Sequence, residues 1–252
     1  MTRQQTPWWG PLALSVGFLT IIPMPAVAMS PAVAGRAAVL FPLVGALIGL
    51  VLGGLGLLLD RVLPPGPVAA LLLAAAALLT GGLHLDGLMD TTDGIAGART
   101  PERRLAIMRD SCVGASGAIA GMLAILAQFA CLSELSGQTR LLALVVAVAV
   151  SRWAMLAALA SFPPALPDGL GATFHAGATP VTAVVGTLIV VAVALLTRPF
   201  GLVALGAGVA ATLIVGRALT RRLGGLTGDC YGAGAVVTET ATLVIAVAVA
   251  SS

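Results

Sequence analysis

The feature that most limits what this chain can become is a series of long, almost uncharged apolar runs. They lie near 11–28, 38–59, 67–85, 113–135, 141–162, 180–197, 199–216 and 235–251. A helix that crosses the hydrocarbon core of a bilayer needs about 20 such residues. Only 9% of the 252 residues are charged, whereas a soluble domain carries about 25%. A water-soluble fold is excluded on that ground. The abundant Gly and Ala suit helices that approach closely inside a bilayer. The fold class expected is therefore an all-α polytopic membrane protein. It should be a single integral domain over 1–252, with a bundle of about seven transmembrane helices, six to eight at the limits. The first run is broken by Pro11, Pro23 and Pro25, and Trp8 and Trp9 suit the headgroup level. Ala26-Val27-Ala28 imitates a signal-peptidase site, but the prolines and the single Arg3 ahead of it argue against cleavage.

Charge sets the expected orientation. Every basic residue is Arg. If all eight runs cross, Arg36, Arg99, Arg103, Arg104, Arg109, Arg217, Arg221 and Arg222 share one side. Arg3, Arg61, Arg140 and Arg198 fall on the other. Positive charge marks the cytoplasmic side. The connections near 29–37, 86–112, 163–179 and 217–234 are then expected as cytoplasmic loops. No basic patch with interleaved aromatics is present, so nucleic acid is not an expected partner. Cys112, Cys131 and Cys230 are scattered and read as small apolar fillers or a loop thiol. A phosphate-binding loop of the GxxxxGK[ST] kind is absent, which excludes that form of nucleotide hydrolysis.

The stretch HLDGLMDTTDG, His84 to Gly94, follows directly on the run LLLAAAALLT. Asp86, Asp90 and Asp93 are four and three residues apart. On a helix they fall within about 60° of one face. Three carboxylates on one stripe repel each other unless a cation sits among them. Carboxylate oxygens are hard ligands suited to Mg²⁺ or Mn²⁺, and Mg²⁺ is commonly shared with substrate phosphates. The stripe reads as a divalent-metal site for a phosphorylated or diphosphate substrate. A solvated helix end and a cation pathway through a transporter are the other readings of the same residues.

Other polar residues map to the same side. Arg103, Arg104 and Arg109 could grip phosphate with paired N–H bonds or serve as positive-inside anchors. Arg152, in VAVSRWAMLA, lies mid-span, where an unpaired charge is costly, so an acid or a substrate phosphate is expected beside it. Asp229 and Glu239 form a second acidic element, Glu239 facing the bundle interior and pairing with Arg152 or ordering the site. Asp229 reads equally as an end cap. His175 is left as a loop residue.

The strings GGLHLDGLMDTTDGIAG and RRLAIMRDSCVGASGAIAG, with RAAVLFPLVGALIG, SRWAM, DGLGATF and LGGLTGDCYGAGAVVTE, resemble the cobalamin synthase family, the adenosylcobinamide-GDP ribazoletransferases. The likeness runs in order along nearly the whole chain. Two positions depart from the pattern. Cys112 stands where a basic residue is common, and PPALPDGLG has no Arg ahead of Asp168.

The resemblance implies a Mg²⁺-dependent enzyme of the bacterial inner membrane. It would join adenosylcobinamide-GDP to α-ribazole or α-ribazole 5′-phosphate and release GMP. This is the last assembly stage of cobalamin. Metal would be held by Asp86, Asp90, Asp93 and Asp110. Asp90 and Asp93 would be catalytic, Asp93 taking the proton of the attacking hydroxyl. Substrate would be bound by His84, Arg104, Arg109, Ser111, Arg152, Asp229 and Glu239. Ser111 and Gly114 begin a helix whose free N–H groups can bind phosphate. A homo-oligomer, or association with other cobamide-assembly enzymes, is compatible with the resemblance. The competing enzyme reading is a CDP-alcohol phosphotransferase, but DTTDGIAGAR is one residue too long before Ala-Arg and lacks the later paired acids. A transporter would want acids along a mid-membrane path in two related halves, which this chain does not display.

Overall fold

The computed structural model describes residues 7–251; Arg3, counted above on the non-cytoplasmic side, lies outside them. The described residues form twelve helices and no strand: α1 (Gly10–Leu19), α2 (Pro31–Val39), α3 (Phe41–Leu59), α4 (Pro65–Thr80), α5 (Leu83–Gly97), α6 (Pro101–Met108), α7 (Ala115–Glu134), α8 (Gly137–Ser161), α9 (Leu170–Gly177), α10 (Pro180–Leu196), α11 (Phe200–Leu223) and α12 (Gly228–Ala250). Five of these, α3, α7, α8, α11 and α12, are long and apolar enough to cross a membrane. Two bent pairs, α4 with α5 and α9 with α10, raise the number to seven if each counts as one span. The protein is a multi-pass helical membrane bundle, as its hydropathy requires.

The bends depart from the sequence reading. Gly81 and Gly82 both take positive φ, 63° and 69°. That left-handed pair ends α4 and turns the chain by 87° into α5. The region 86–112, expected as a loop, is therefore mostly helix: the rest of α5, then α6. The expected loop at 29–37 is largely α2, which starts on the cap of Ser30 over Val33 N. The loop at 163–179 contains α9, and α11 carries Arg217, Arg221 and Arg222 in its last turns. Local hydropathy marks these pieces as not spanning, but short helices need no apolar run, and α2 and α6 are each opened by Pro and capped by a Ser or Thr hydroxyl. The first run is helical only to Leu19, after which Pro23 and Pro25 forbid its continuation. Ile21 N instead donates to Leu79 O at 2.9 Å, tying this segment to the end of α4.

α8 is the axis of the bundle, buried on nearly every side. α3 lies against it through Gly45, Gly49 and Gly53, one per turn. A Cβ at these positions would sit 2.6 Å from Val148 O, 2.5 Å from Leu144 O and 2.8 Å from Leu141 Cα. Backbone-to-backbone approach of this kind is the normal route to tight helix packing in lipid, where hydrophobic burial supplies little driving force. The chain before α9 is pinned to the chain before α12 by Ala165 N to Leu226 O and Leu226 N to Pro163 O, both 2.9 Å.

The end of α8 away from α9 is closed by charge. Arg140 is 1% exposed and donates through Nη1 to Asp60 Oδ1 at 2.7 Å. Its Nε reaches Leu132 O and Leu135 O at the end of α7, and Gly137 N donates to Asp60 Oδ2 at 3.0 Å. One guanidinium thus fastens three helices.

Candidate active site at the acidic end of the bundle

Two helices that are distant in sequence make the site. α5 lies on the first turns of α12, with Gly87 seated on the Asp229 backbone. A Cβ on Gly87 would come within 2.8 Å of Asp229 O and 3.0 Å of its Cα. One turn away, Gly232 fits over the backbone of His84. This close seam brings Asp229 to the α5 stripe. Asp90 is repelled by Asp86, Asp229 and Asp93 together, and Asp229 by Asp86. Asp86 is exposed, and Asp90 and Asp229 are half-buried. Among the described residues, these acids form no ion pair with an arginine.

Asp93 is occupied differently. Its Oδ2 accepts the Gly114 N–H and its Oδ1 the Gly117 N–H, both at 2.7 Å. It thereby caps the N-terminus of α7 from another helix, doing what a capping side chain does locally. The fit needs glycine: a Cβ on Gly117 would collide with the Asp93 carboxylate and come within 2.6 Å of Met89 O. Thr91 is buried, and Thr92 bonds back to Leu88 O at 2.8 Å.

The arginines divide. Arg104 spends Nε on Ala98 O at 2.9 Å and Nη1 on Arg222 O at 2.8 Å, joining α6 to the end of α11. Arg109 is exposed and lines a cavity of about 250 Å³ together with Asp168, Thr227, Gly228 and Asp229. Asp110 and Ser111 are exposed in the following loop, where Asp110 Oδ1 accepts from Cys112 N at 3.1 Å. Asp110 makes no ion pair with Arg104 or Arg109.

Arg152 and Glu239 lie deeper. Arg152 Nη1 donates to Glu239 Oε2 at 3.1 Å and to Ser151 Oγ at 2.9 Å, and Ser151 Oγ donates to the same Glu239 oxygen at 3.2 Å. The mid-span arginine thus has its acid, brought in by α12. His84 is 5% exposed, on the face of α5 turned to the bundle interior. It borders both a cavity beside Asp229 and a larger one, about 580 Å³, that reaches Arg152 and Glu239. His175, expected in a loop, belongs to α9, and its Nδ1 lies 2.8 Å from Leu159 O.

Asp86, Asp90 and Asp229 therefore come together at one mouth of the bundle, with Asp93 behind them as a helix anchor. Among the described residues no group of three or more His, Cys, Asp or Glu is arranged to hold an ion by itself. Mg²⁺ is ordinarily held by one or two carboxylates plus substrate phosphates, and a donor set of unpaired carboxylate oxygens suits it. Sequence reasoning missed Tyr231 and the three phenylalanines Phe18, Phe41 and Phe174 beside the site. The one readable signal was Tyr231, the single tyrosine of the chain, two residues past Asp229.

A family model described as cobalamin-5-phosphate synthase matches residues 11–247. An adenosylcobinamide-GDP ribazoletransferase of Roseiflexus sp. (strain RS-1) is 39% identical over 249 residues, which is 96% of this chain and 92% of the relative. One of Ralstonia nicotianae is 39% identical over 258 residues, 96% of each. One of Desulfitobacterium hafniense is 40% identical over 208 residues, 79% of this chain and 81% of the relative. No solved structure matches. With a family model spanning almost its whole length, the chain belongs to the cobalamin-5-phosphate synthase family.

Proposed function

We propose that this chain is an adenosylcobinamide-GDP ribazoletransferase, acting in the last assembly stage of cobalamin. The observation that carries the reading is the seating of Gly87 on the Asp229 backbone, which brings Asp229 to the stripe of Asp86 and Asp90, with none of the three ion-paired to an arginine among the described residues. Such a cluster suits a cation and a diphosphate. Family membership names the diphosphate. The hydroxyl of ribazole, or of its 5′-phosphate, attacks the phosphorus on the cobinamide side. A new P–O bond forms, the bond to the GMP oxygen breaks, and GMP leaves with that electron pair.

Asp86, Asp90 and Asp229 would hold Mg²⁺, which when bound offsets the negative charge that builds up on the leaving GMP. The remaining work falls to the chain's own groups. Both oxygens of Asp93 already accept N–H bonds from the start of α7, so its carboxylate is committed to holding that helix. The proton of the attacking hydroxyl goes instead to an Asp90 oxygen. The exposed Arg109 guanidinium, on the same cavity as Asp229, grips a phosphate. Arg152 and Glu239 set the position of α12 and hence of Asp229. Arg104, whose donors are on carbonyls, holds the α6–α11 contact rather than substrate.

The same end of the bundle gathers α6 and the arginine-bearing end of α11. Positive charge there orients the site to the cytoplasm of a bacterial inner membrane, the side on which a nucleotide-activated substrate is found. The test is GMP release by protein in bilayers supplied with adenosylcobinamide-GDP and ribazole 5′-phosphate, with Mg²⁺ or with chelator, and with Asp90→Asn beside wild type. Metal-dependent release that the variant loses is the expected result. No release by folded wild-type protein, with both substrates and metal present, overturns the reading.

A further inference from the structure

Beside the acids lies a partly open cavity that the reaction scheme above leaves unused. Its volume is about 190 Å³, and Asp229 forms part of its rim. Its walls include Phe18, Phe41, Phe174, Met155 and Tyr231, with His84 among them. The three phenylalanines come from α1, α3 and α9. Phe18 and Phe41 stack with centroids 5.6 Å apart, and Phe174 lies 5.0 Å from the first and 5.5 Å from the second. Two polar groups stand in this apolar wall without partners. Both ring nitrogens of His84 and the hydroxyl of Tyr231 have no hydrogen-bond partner among the described residues, although the residues are 5% and 4% exposed. Buried polar atoms are nearly always bonded, so an orphaned imidazole on a cavity wall points to a ligand that completes it.

We propose that this cavity receives the fused heteroaromatic base of the acceptor nucleoside, with the His84 N–H donating to the base's unsubstituted ring nitrogen. The inference rests on the transferase reading and locates one of its two substrates. Size and chemistry select the base. Drug-sized ligands fill sites of about 300–1,000 Å³, so this cavity is too small for a corrin and suits one flat bicyclic ring. Guanine carries donors and acceptors on most edges, and phenylalanine and methionine walls would leave them unpaired at high cost. A benzimidazole has two apolar faces, an apolar outer edge and a single free nitrogen. Aromatic walls favour stacked or edge-on contact with such a ring. With the base inside, the attached sugar sits at the rim beside Asp229, where its hydroxyl belongs.

The experiment uses the full chain in lipid nanodiscs and two readouts. One is equilibrium binding of ribazole without donor, followed by its benzimidazole absorbance after dialysis. The other is steady-state GMP release with each substrate varied in turn. His84→Ala and the cavity-filling Met155→Trp should each weaken ribazole binding and raise its KM about tenfold or more. The KM for adenosylcobinamide-GDP should stay within about twofold. His84→Gln, which keeps an N–H donor, should recover much of the loss. A shift in the donor's KM with ribazole unchanged would assign the cavity to the donor and overturn the proposal. So would indifference of both substrates to both variants. Failure of wild type to release GMP, with ribazole still bound in a His84-dependent way, would sink the transferase reading but keep the pocket.

Discussion

The two ends of α8 treat charge in opposite ways. At one end, Arg140 and Asp60 meet at 2.7 Å, and Arg140 Nε and Gly137 N reach carbonyl and carboxylate oxygens. At the other, Asp86, Asp90 and Asp229 crowd together with no arginine bonded to them. Matched charge in a low-dielectric bundle fastens helices and then has nothing left to offer. Unmatched like charge is costly to assemble and is kept where a ligand supplies the missing sign. On the proposed reading, the closed end serves stability and the open end binding, although α8 reaches both.

That contrast can be broken experimentally, beginning with the largest effect. Asp90→Asn should lower GMP release by at least about 10²–10³-fold. It should leave thermal stability unchanged or raised, because one repelling charge is gone. Chelation of metal should mimic it in wild type. A variant that loses stability and activity in parallel would show the open end to be structural after all. Next comes the closed end. Asp60→Ala leaves the buried Arg140 guanidinium without its carboxylate and should cost about 3–5 kcal/mol of unfolding stability, read by denaturant titration in detergent. Activity per folded molecule should hold within about twofold, since the sites are far apart and independent.

Smaller effects sharpen the comparison. Gly87→Ala places a methyl against Asp229 O at 2.8 Å and should push α12 off α5. We expect about a tenfold loss in GMP release, visible mainly in kcat, with the helical content by circular dichroism retained. The smallest effect should come from Asp110→Asn, an exposed residue whose one bond is a turn to Cys112 N. Asparagine supports the same turn, so activity should fall by less than about threefold. A loss as large as that of Asp90→Asn would bring Asp110 into the substrate site.

Much of the acidic end was legible in the chain. The four-and-three spacing put Asp86, Asp90 and Asp93 on one helical face, and α5 is that helix. The mid-span charge of Arg152 demanded an acid, and Glu239 provides it. The individual duties were not legible. Asp93 shares the stripe with Asp90, yet its oxygens go to the N-terminus of α7. Arg104 sits in a basic run beside Arg103, yet its donors go to Ala98 O and Arg222 O. Each of those partners is fixed by a contact between segments far apart in the chain, which no local period encodes.

What the sequence by itself determined is the solvent of the fold, the approximate number of apolar crossings, and a helix bearing several acids on one side. Hydropathy and the 3.6-residue turn are properties of neighbouring residues and need no partner to be read. The tertiary structure alone decided that Gly81 and Gly82 turn α5 away from α4. It also decided that Gly87 admits Asp229 to the stripe and that Phe18, Phe41 and Phe174 meet on the cavity that His84 borders. Those outcomes depend on how closely two backbones approach, and that distance is set by the side chains missing from one helix and the backbone presented by another.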